Sequence, residues 1–409
     1  NEDDLSYRKC SSHGNGLPYD KDFLKVRLYK DRWGVPFSAN PSKDTLIYYN
    51  YKNLFSHQYS DPATKQFGRY QVTGSRGPYI FKRQIYPNSY VRRKMQSTAL
   101  LSYLVYENGE ITSDEISPEN RFGRYINNNT LLRSNSVGKS MASYVLGHAI
   151  CKGYISSVHA VLDDWPLLKG TLYDGQKLLD ILNMTSGDQE YIYDSFFVNK
   201  GTWETDSDSE ADRLALSDLL SRLKNSKAGP KRYNYNIANT KIILNYVAYK
   251  SGKNFERVLR SAFADSGKIA NRVYFNRVTE RSRVYGNVHS MFFASRYDYL
   301  RIARSMANHW QEDTCVGKYL KSLYENRVSK GSAGRNEPAF NASKSYGGQF
   351  HFDYPGLTDR IIFGMGGYGG QAILIDMERN KIVVVNSIHY NNGQYEYGAR
   401  KILLNEMKK

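Results

Sequence analysis

Apolar and polar positions change their period as the chain proceeds. Ala99-Leu100-Leu101-Ser102-Tyr103-Leu104-Val105-Tyr106 is a strand candidate, and Asn108-Gly109 after it is a strong hairpin turn. A second strand is predicted through Ile111, and a third near Asn129 to Arg133 leads straight into Ser136. The stretch Ser140 to Ile150 is apolar and reads as a buried helix. Helical signals then dominate from about 136 to 265. They include Ala160-Val161-Leu162, Gln176 to Leu182, Ser217-Asp218-Leu219-Leu220 and Ile237 to Lys250. Ser295 to Ala307 also reads as helix, with Ser295 as N-cap and Tyr299, Ile302, Ala303 and Met306 as its inner face. Strands return at Arg360 to Phe363, and again as a β-hairpin, Gln371 to Met377 and Ile382 to Asn386 around the polar turn Glu378-Arg379-Asn380-Lys381. Tyr397 to Lys408 closes the chain as an amphipathic helix.

Strands, then helices, then strands predict an α+β fold. One antiparallel sheet is completed by both ends of the chain, helices flank it, and an α-rich region is inserted beside it. The expected boundaries are 1–60 for a polar, turn-rich, irregular N-terminal arm, 61–135 plus 270–409 for the sheet region, and 136–269 for the α-rich region. There are no internal repeats.

With 409 residues the chain is long enough for one large domain or two intimate ones. Hydrophobic residues at 40% and charged residues at 24% are ordinary for a soluble globular protein, and no apolar run is long enough to span a bilayer. The net charge of +17 is spread along the chain rather than clustered, with no zinc-finger spacing and no recognition-helix pattern. It reads as a basic solvated surface, and nucleic acid is not an expected partner. A chain that used this charge to hold an anionic polymer would bind with strong salt dependence. Cys10, Cys151 and Cys315 are scattered, so neither a zinc site nor a dense disulfide framework is indicated, and Cys151 is expected as a packed thiol. The eight histidines show no metal spacing. The sequence starts at Asn1, which carries an expectation of export, periplasmic or secreted, with the cytoplasm as the alternative.

The candidate chemistry lies at the mouth of the buried helix. In Ser136-Val137-Gly138-Lys139 a helix puts Ser136 and Lys139 on one face. In the first turn, backbone N–H groups and the helix dipole favour a developing oxyanion. A partly desolvated lysine can lose its proton near neutral pH and deprotonate the serine. The plain alternative is a helix N-cap serine followed by a surface lysine. Ser221-Arg222-Leu223-Lys224 has the same spacing in a polar, charged stretch and reads as solvated surface.

Three more segments accompany the first, in order: Leu179-Asp180-Ile181-Leu182-Asn183-Met184-Thr185-Ser186-Gly187; Tyr233-Asn234-Tyr235-Asn236-Ile237-Ala238-Asn239-Thr240, running into Ser251-Gly252; and Phe363-Gly364-Met365-Gly366-Gly367-Tyr368-Gly369-Gly370-Gln371. Together they resemble the serine β-lactamase-like superfamily, in its class C β-lactamase, DD-peptidase and esterase branch. The stretch Gly153 to Gly187 looks most like the 6-aminohexanoate-dimer hydrolases and related carboxylesterases. The resemblance runs from about Thr98 to the C-terminus and leaves residues 1–95 unexplained. It implies a β-lactamase/transpeptidase-like fold and a serine hydrolase that needs neither cofactor nor metal and takes a small-molecule ester or amide. It implies Ser136 as nucleophile, Lys139 as adjacent base and Tyr235 as acid and base. The amides of Ser136 and Tyr368 would form the oxyanion hole, with Gly366 and Gly367 letting the strand approach the substrate.

Two positions depart from the pattern. Ile237 stands where the Tyr-x-Asn element has its asparagine, which leaves Asn236 or Asn239 to supply the amide. Met365 stands where a lysine or histidine is usual, which argues against a β-lactam or peptide carboxylate as ligand. Tyr191 or Tyr193 falls where the aminohexanoate-type hydrolases place a substrate-contacting tyrosine, and Tyr191 is taken as the candidate. The alternatives are a penicillin-recognising enzyme and a catalytically dead binding protein on the same fold. Gly364 to Gly369 also satisfies G-x-G-x-x-G, but a hairpin follows it rather than a helix, so a dinucleotide site is excluded, and no G-x-S-x-G occurs.

Overall fold

Alternation within the apolar strands decides the layering of this molecule. The computed structural model describes residues 67–98, 100–188, 216–278, 287–331, 343–367, 370–387 and 401–409. The first elements are strands β1 (Phe67–Val72) and β2 (Lys82–Arg83), helix α1 (Ser89–Ser97), and strands β3 (Leu100–Glu107), β4 (Glu110–Ile116) and β5 (Leu132–Arg133). The helical block follows, with α2 (Val137–Cys151), α3 (Leu178–Leu182), α4 (Leu216–Ser221), α5 (Ala238–Ser251) and α6 (Phe255–Arg260). Then come β6 (Val273–Val278), β7 (Val288–Ala294), α7 (Arg296–Gln311), α8 (Cys315–Glu325), β8 (Val328–Ser329), β9 (Ser345–Gly347) and β10 (Phe350–Phe352). Strands β11 (Ile362–Gly367), β12 (Gln371–Asp376) and β13 (Lys381–Ser387) and helix α9 (Lys401–Lys408) complete the described chain.

Nine strands form one sheet in the order β2-β4-β3-β13-β12-β11-β10-β9-β8, antiparallel except for the β2–β4 pair. Leu104, Tyr106, Ile382, Val384, Ile373 and Ile375 point to one face, where Tyr299, Ile302 and Met306 of α7 join the main core. Tyr103, Val105, Val383, Val385 and Leu374 point to the other, under Val91 and Met95 of α1 and Ile402, Leu403 and Met407 of α9. Period-two alternation with apolar residues on both faces is what makes these strands read as unbroken apolar runs. The β3–β4 turn is Asn108-Gly109 with both φ angles positive, as a two-residue hairpin requires. Ser295 caps α7, its side chain accepting from the Asp298 N–H.

A second, four-stranded sheet, β1-β6-β7-β5, corrects the single-sheet expectation. The short strand before Ser136 belongs to it, Leu132 lying opposite Ala294.

Helix α2 is buried from Val137 to Ala149, Lys139 included. Its last residue corrects a second expectation: Cys151 is bonded to Cys315, the first residue of α8, with the two Cα atoms 5.8 Å apart. A sequence separation of 164 left no local trace of that pairing.

Near the same end His148 is buried beside His309 and stacks edge-on against Tyr144, with Ser261 Oγ 3.3 Å from its Nδ1. Burial first, then the neighbouring His309 and Lys152, push its pKa down to about 3, and burial lowers His309 as well. The imidazole is therefore neutral in the fold but takes up a proton in the unfolded chain below its ordinary value of 6.5. Stability is complete above that value and falls as pH drops towards 3. Between pH 7 and 4.5, urea unfolding is expected to lose roughly 2 to 3 kcal/mol from His148 alone, a loss that His148→Phe removes.

Candidate active site

Ser136 ends the turn that joins β5 to α2. Its backbone is helical, with φ −69° and ψ −8°, and its hydroxyl makes no capping bond to the helix. A half-buried serine at a helix start that does not cap it keeps its oxygen available for other chemistry. The Lys139 N–H donates to Ser136 O at 3.0 Å, which closes the helical turn relating the two side chains. The turn is fixed from two sides. A Cβ on Gly138 would lie 1.8 Å from the Ser290 carbonyl of β7, and one on Gly367 would lie 2.5 Å from the Ser134 carbonyl. Only glycine at both positions lets the helix and the end of β11 close on the backbone next to Ser136.

Lys139 is 4% exposed. Its Nζ lies 5.3 Å from the centroid of the Tyr235 ring and donates to Thr240 Oγ1 at 3.5 Å. Thr240 Oγ1 in turn donates to Gln349 Oε1 at 2.7 Å, and Ser140 Oγ donates to the Gln349 carbonyl at 2.6 Å. Gln349, between β9 and β10, thus ties α2 and α5 together beneath the site.

Tyr235 is half-buried on the approach to α5, and the second segment holds that approach in place. The Gly229 N–H donates to Gly187 O at 2.7 Å, and the Asn234 N–H to Met184 O at 2.8 Å. Asp188, fully buried, accepts from Tyr173 Oη at 2.8 Å and from Asn236 Nδ2 at 3.1 Å. Burial raises the Asp188 carboxyl above the usual carboxylate range, with the bond from Tyr173 opposing it, and holds the Tyr173 phenol well above its own. Sequence reasoning missed Asp188. Its partners come from separate segments, and only its place after Ser186-Gly187 hinted at it.

The two asparagines offered for the Tyr-x-Asn amide differ. Asn236 Nδ2 is taken up by Asp188 and the Asn234 carbonyl, and its Oδ1 accepts from the Asn239 N–H at 3.0 Å. Asn239 is fully buried, and neither polar atom of its amide has a hydrogen-bond partner among the described residues. Ile237 begins α5. Met365 is buried in the main core, so no cation stands at that point of β11. Gly366 and Gly367 pair with Ala372 and Gln371 of β12. Tyr368, Tyr191 and Tyr193 lie outside the described residues. Ser221 and Lys224 are tied to the Asp218 and Lys169 carbonyls, as a surface turn requires. No cluster of His, Cys, Asp or Glu among the described residues has the make-up of a metal site.

Neither a protein-family model nor a curated protein matches this sequence. Solved structures do match its fold. The Bacillus anthracis protein assigned as a 6-aminohexanoate-dimer hydrolase superposes with a TM-score of 0.63 at 12% identity, over 91% of this chain and 96% of its own. A family VIII carboxylesterase gives 0.53 at 14% identity, over 74% and 90%. A penicillin binding protein from Bacillus halodurans gives 0.52 at 14% identity, over 79% and 100%. The fold of this chain is therefore the β-lactamase/transpeptidase-like one, antiparallel sheets flanked by helices.

Proposed function

We propose that this chain, with its β-lactamase/transpeptidase fold, is a serine hydrolase that cleaves an ester or amide through an acyl-enzyme on Ser136. The observation that carries the proposal is the combination at the start of α2. A serine hydroxyl that does not cap its helix lies one turn from a buried lysine, whose Nζ lies 5.3 Å from the centre of the Tyr235 ring. Ser136 Oγ bonds to the substrate carbonyl carbon while its proton passes to Lys139 or Tyr235. The carbonyl electron pair moves onto oxygen, held by the Ser136 N–H and an amide at the end of β11, in the order Gly366, Gly367, Tyr368. Collapse expels the alcohol or amine, which takes that proton. Water then adds to the acyl carbon, gives its proton to Tyr235, and the bond to Ser136 breaks with Oγ reprotonated.

The buried Met365 favours uncharged esters and amides over ligands that need a carboxylate partner. The fold shared with a carboxylesterase fits that substrate class. The Cys151–Cys315 disulfide supports a periplasmic or secreted setting, since such bonds persist in oxidising compartments. No helix among the described residues is long and apolar enough to cross a membrane.

The test pairs turnover of a short-chain 4-nitrophenyl ester with acylation by a labelled penicillin. Ester turnover without penicillin labelling is expected. Labelling without turnover favours the penicillin-recognising alternative. Neither response moves the weight to a binding protein, the reading that Ile237 keeps open.

A further inference from the structure

Behind Tyr235 lies a second buried basic group that the acylation chemistry above does not use. Lys330, next after β8, is 3% exposed. Its Nζ is 2.9 Å from His351 Nδ1, and Ser343 Oγ is 3.3 Å from the same nitrogen. His351, on β10 opposite Gly364 of β11, is 2% exposed. Its ring lies nearly parallel to that of Tyr235, 6.3 Å between centroids and 26° between planes. Tyr346 of β9 meets both rings steeply, 5.9 Å from Tyr235 and 5.0 Å from His351. The titratable and charged groups that these contacts gather around Tyr235 are Lys139 from α2, Tyr346 from β9 and His351 from β10. Tyr233, 5.8 Å from Lys330 Nζ, and Lys330 itself stand behind them.

The chemistry of the pair is constrained. An ammonium has three donors and no acceptor, so the histidine nitrogen facing it carries the lone pair. The ring proton is then on Nε2, and the imidazole is neutral. Burial, and then the Lys330 charge, hold His351 well below its ordinary titration range. A fixed cation in a poorly screened interior favours any anion formed near it.

We propose that Lys330, acting through a neutral His351, is a positioning residue for Tyr235. It locks the tautomer and plane of the imidazole backing the phenol, and its charge makes the phenolate that receives the Ser136 proton easier to form. The residue that follows β8 thereby supplies behind the tyrosine a cation that β11, with Met365, does not. The inference rests on the assignment of Ser136 and Tyr235 made above.

The experiment measures the rate of adduct formation by a fluorophosphonate against pH, in the full chain, for wild type, Lys330→Met, Lys330→Arg and His351→Gln. Melting temperatures are recorded alongside. Lys330→Met and His351→Gln are expected to move the acidic limb of the profile to higher pH by about one unit, a roughly tenfold slower reaction on that limb. Lys330→Arg, which keeps the cation, is expected to stay near wild type. A folded Lys330→Met protein with the wild-type limb overturns the proposal. So does a lowered melting temperature with no movement of the limb, the signature of a merely structural residue. If Lys330→Met does not fold, His351→Gln decides by the same criterion. Ser136→Ala is run in parallel. An adduct that persists there overturns the nucleophile assignment, whereas an adduct lost there with unmoved limbs in the other variants overturns only the role of Lys330.

Discussion

Alanine at Ser136 is expected to abolish ester turnover while leaving the fold as stable as before. Loss of a serine nucleophile typically costs roughly 10³ to 10⁶ in rate, because the oxyanion donors that remain have no covalent intermediate to stabilise. The expected stability change is within about 0.5 kcal/mol, as for a residue outside any packing or capping role. The reason is specific to this helix. The Ser136 hydroxyl makes no bond to the exposed N–H groups of α2. A serine serving as N-cap would behave in the opposite way, costing about 1 kcal/mol on replacement with activity intact. Melting temperature and turnover of the same Ser136→Ala preparation therefore separate the two readings of the sequence pattern.

Gly367→Ala is expected to cut kcat/KM by about a hundredfold, the scale of a displacement near 1 Å at a reacting centre. The added Cβ would stand 2.5 Å from the Ser134 carbonyl and 3.3 Å from Asn135 Cβ, within two residues of Ser136. The Ser134 carbonyl is backbone and a Cβ is fixed by its backbone, so neither atom can turn away and the end of β11 must move off the Ser136 turn. The accompanying loss of stability is expected at about 1 to 3 kcal/mol, as for other overpacked interiors. Gly77→Ala is the control, because a Cβ there meets nothing within 4 Å. Turnover kinetics and urea unfolding of the two variants check the contrast.

What could be read from the sequence was local. Asn108-Gly109 fixes the β3–β4 turn by its backbone preference, Ser295 announces α7 by capping it, and the Glu378 to Lys381 turn joins two apolar runs of strand length. The relation of Ser136 to Lys139 is equally local, since one helical turn suffices to define it. What escaped depends on contacts between distant segments. Strand β1 pairs with β6 across about two hundred residues, residue by residue from Phe67 opposite Val278 to Val72 opposite Val273, and nothing in either run names the other. Strands β8, β9 and β10 span only two or three residues each, too few to show a period. Cys151 reads as a packed thiol because its partner Cys315 lies 164 residues away. Asp188, Lys330 and His351 are ordinary residues in the sequence, and become notable only where burial removes water from them and brings Tyr173, Asn236 and Tyr235 alongside.

Intact-mass spectrometry after exposure to a fluorophosphonate decides whether Ser136 is a nucleophile. One adduct per chain is expected, mapped by peptide digestion to Ser136 and absent from Ser136→Ala. No adduct on the folded wild-type chain, or an adduct that survives in Ser136→Ala, would contradict it.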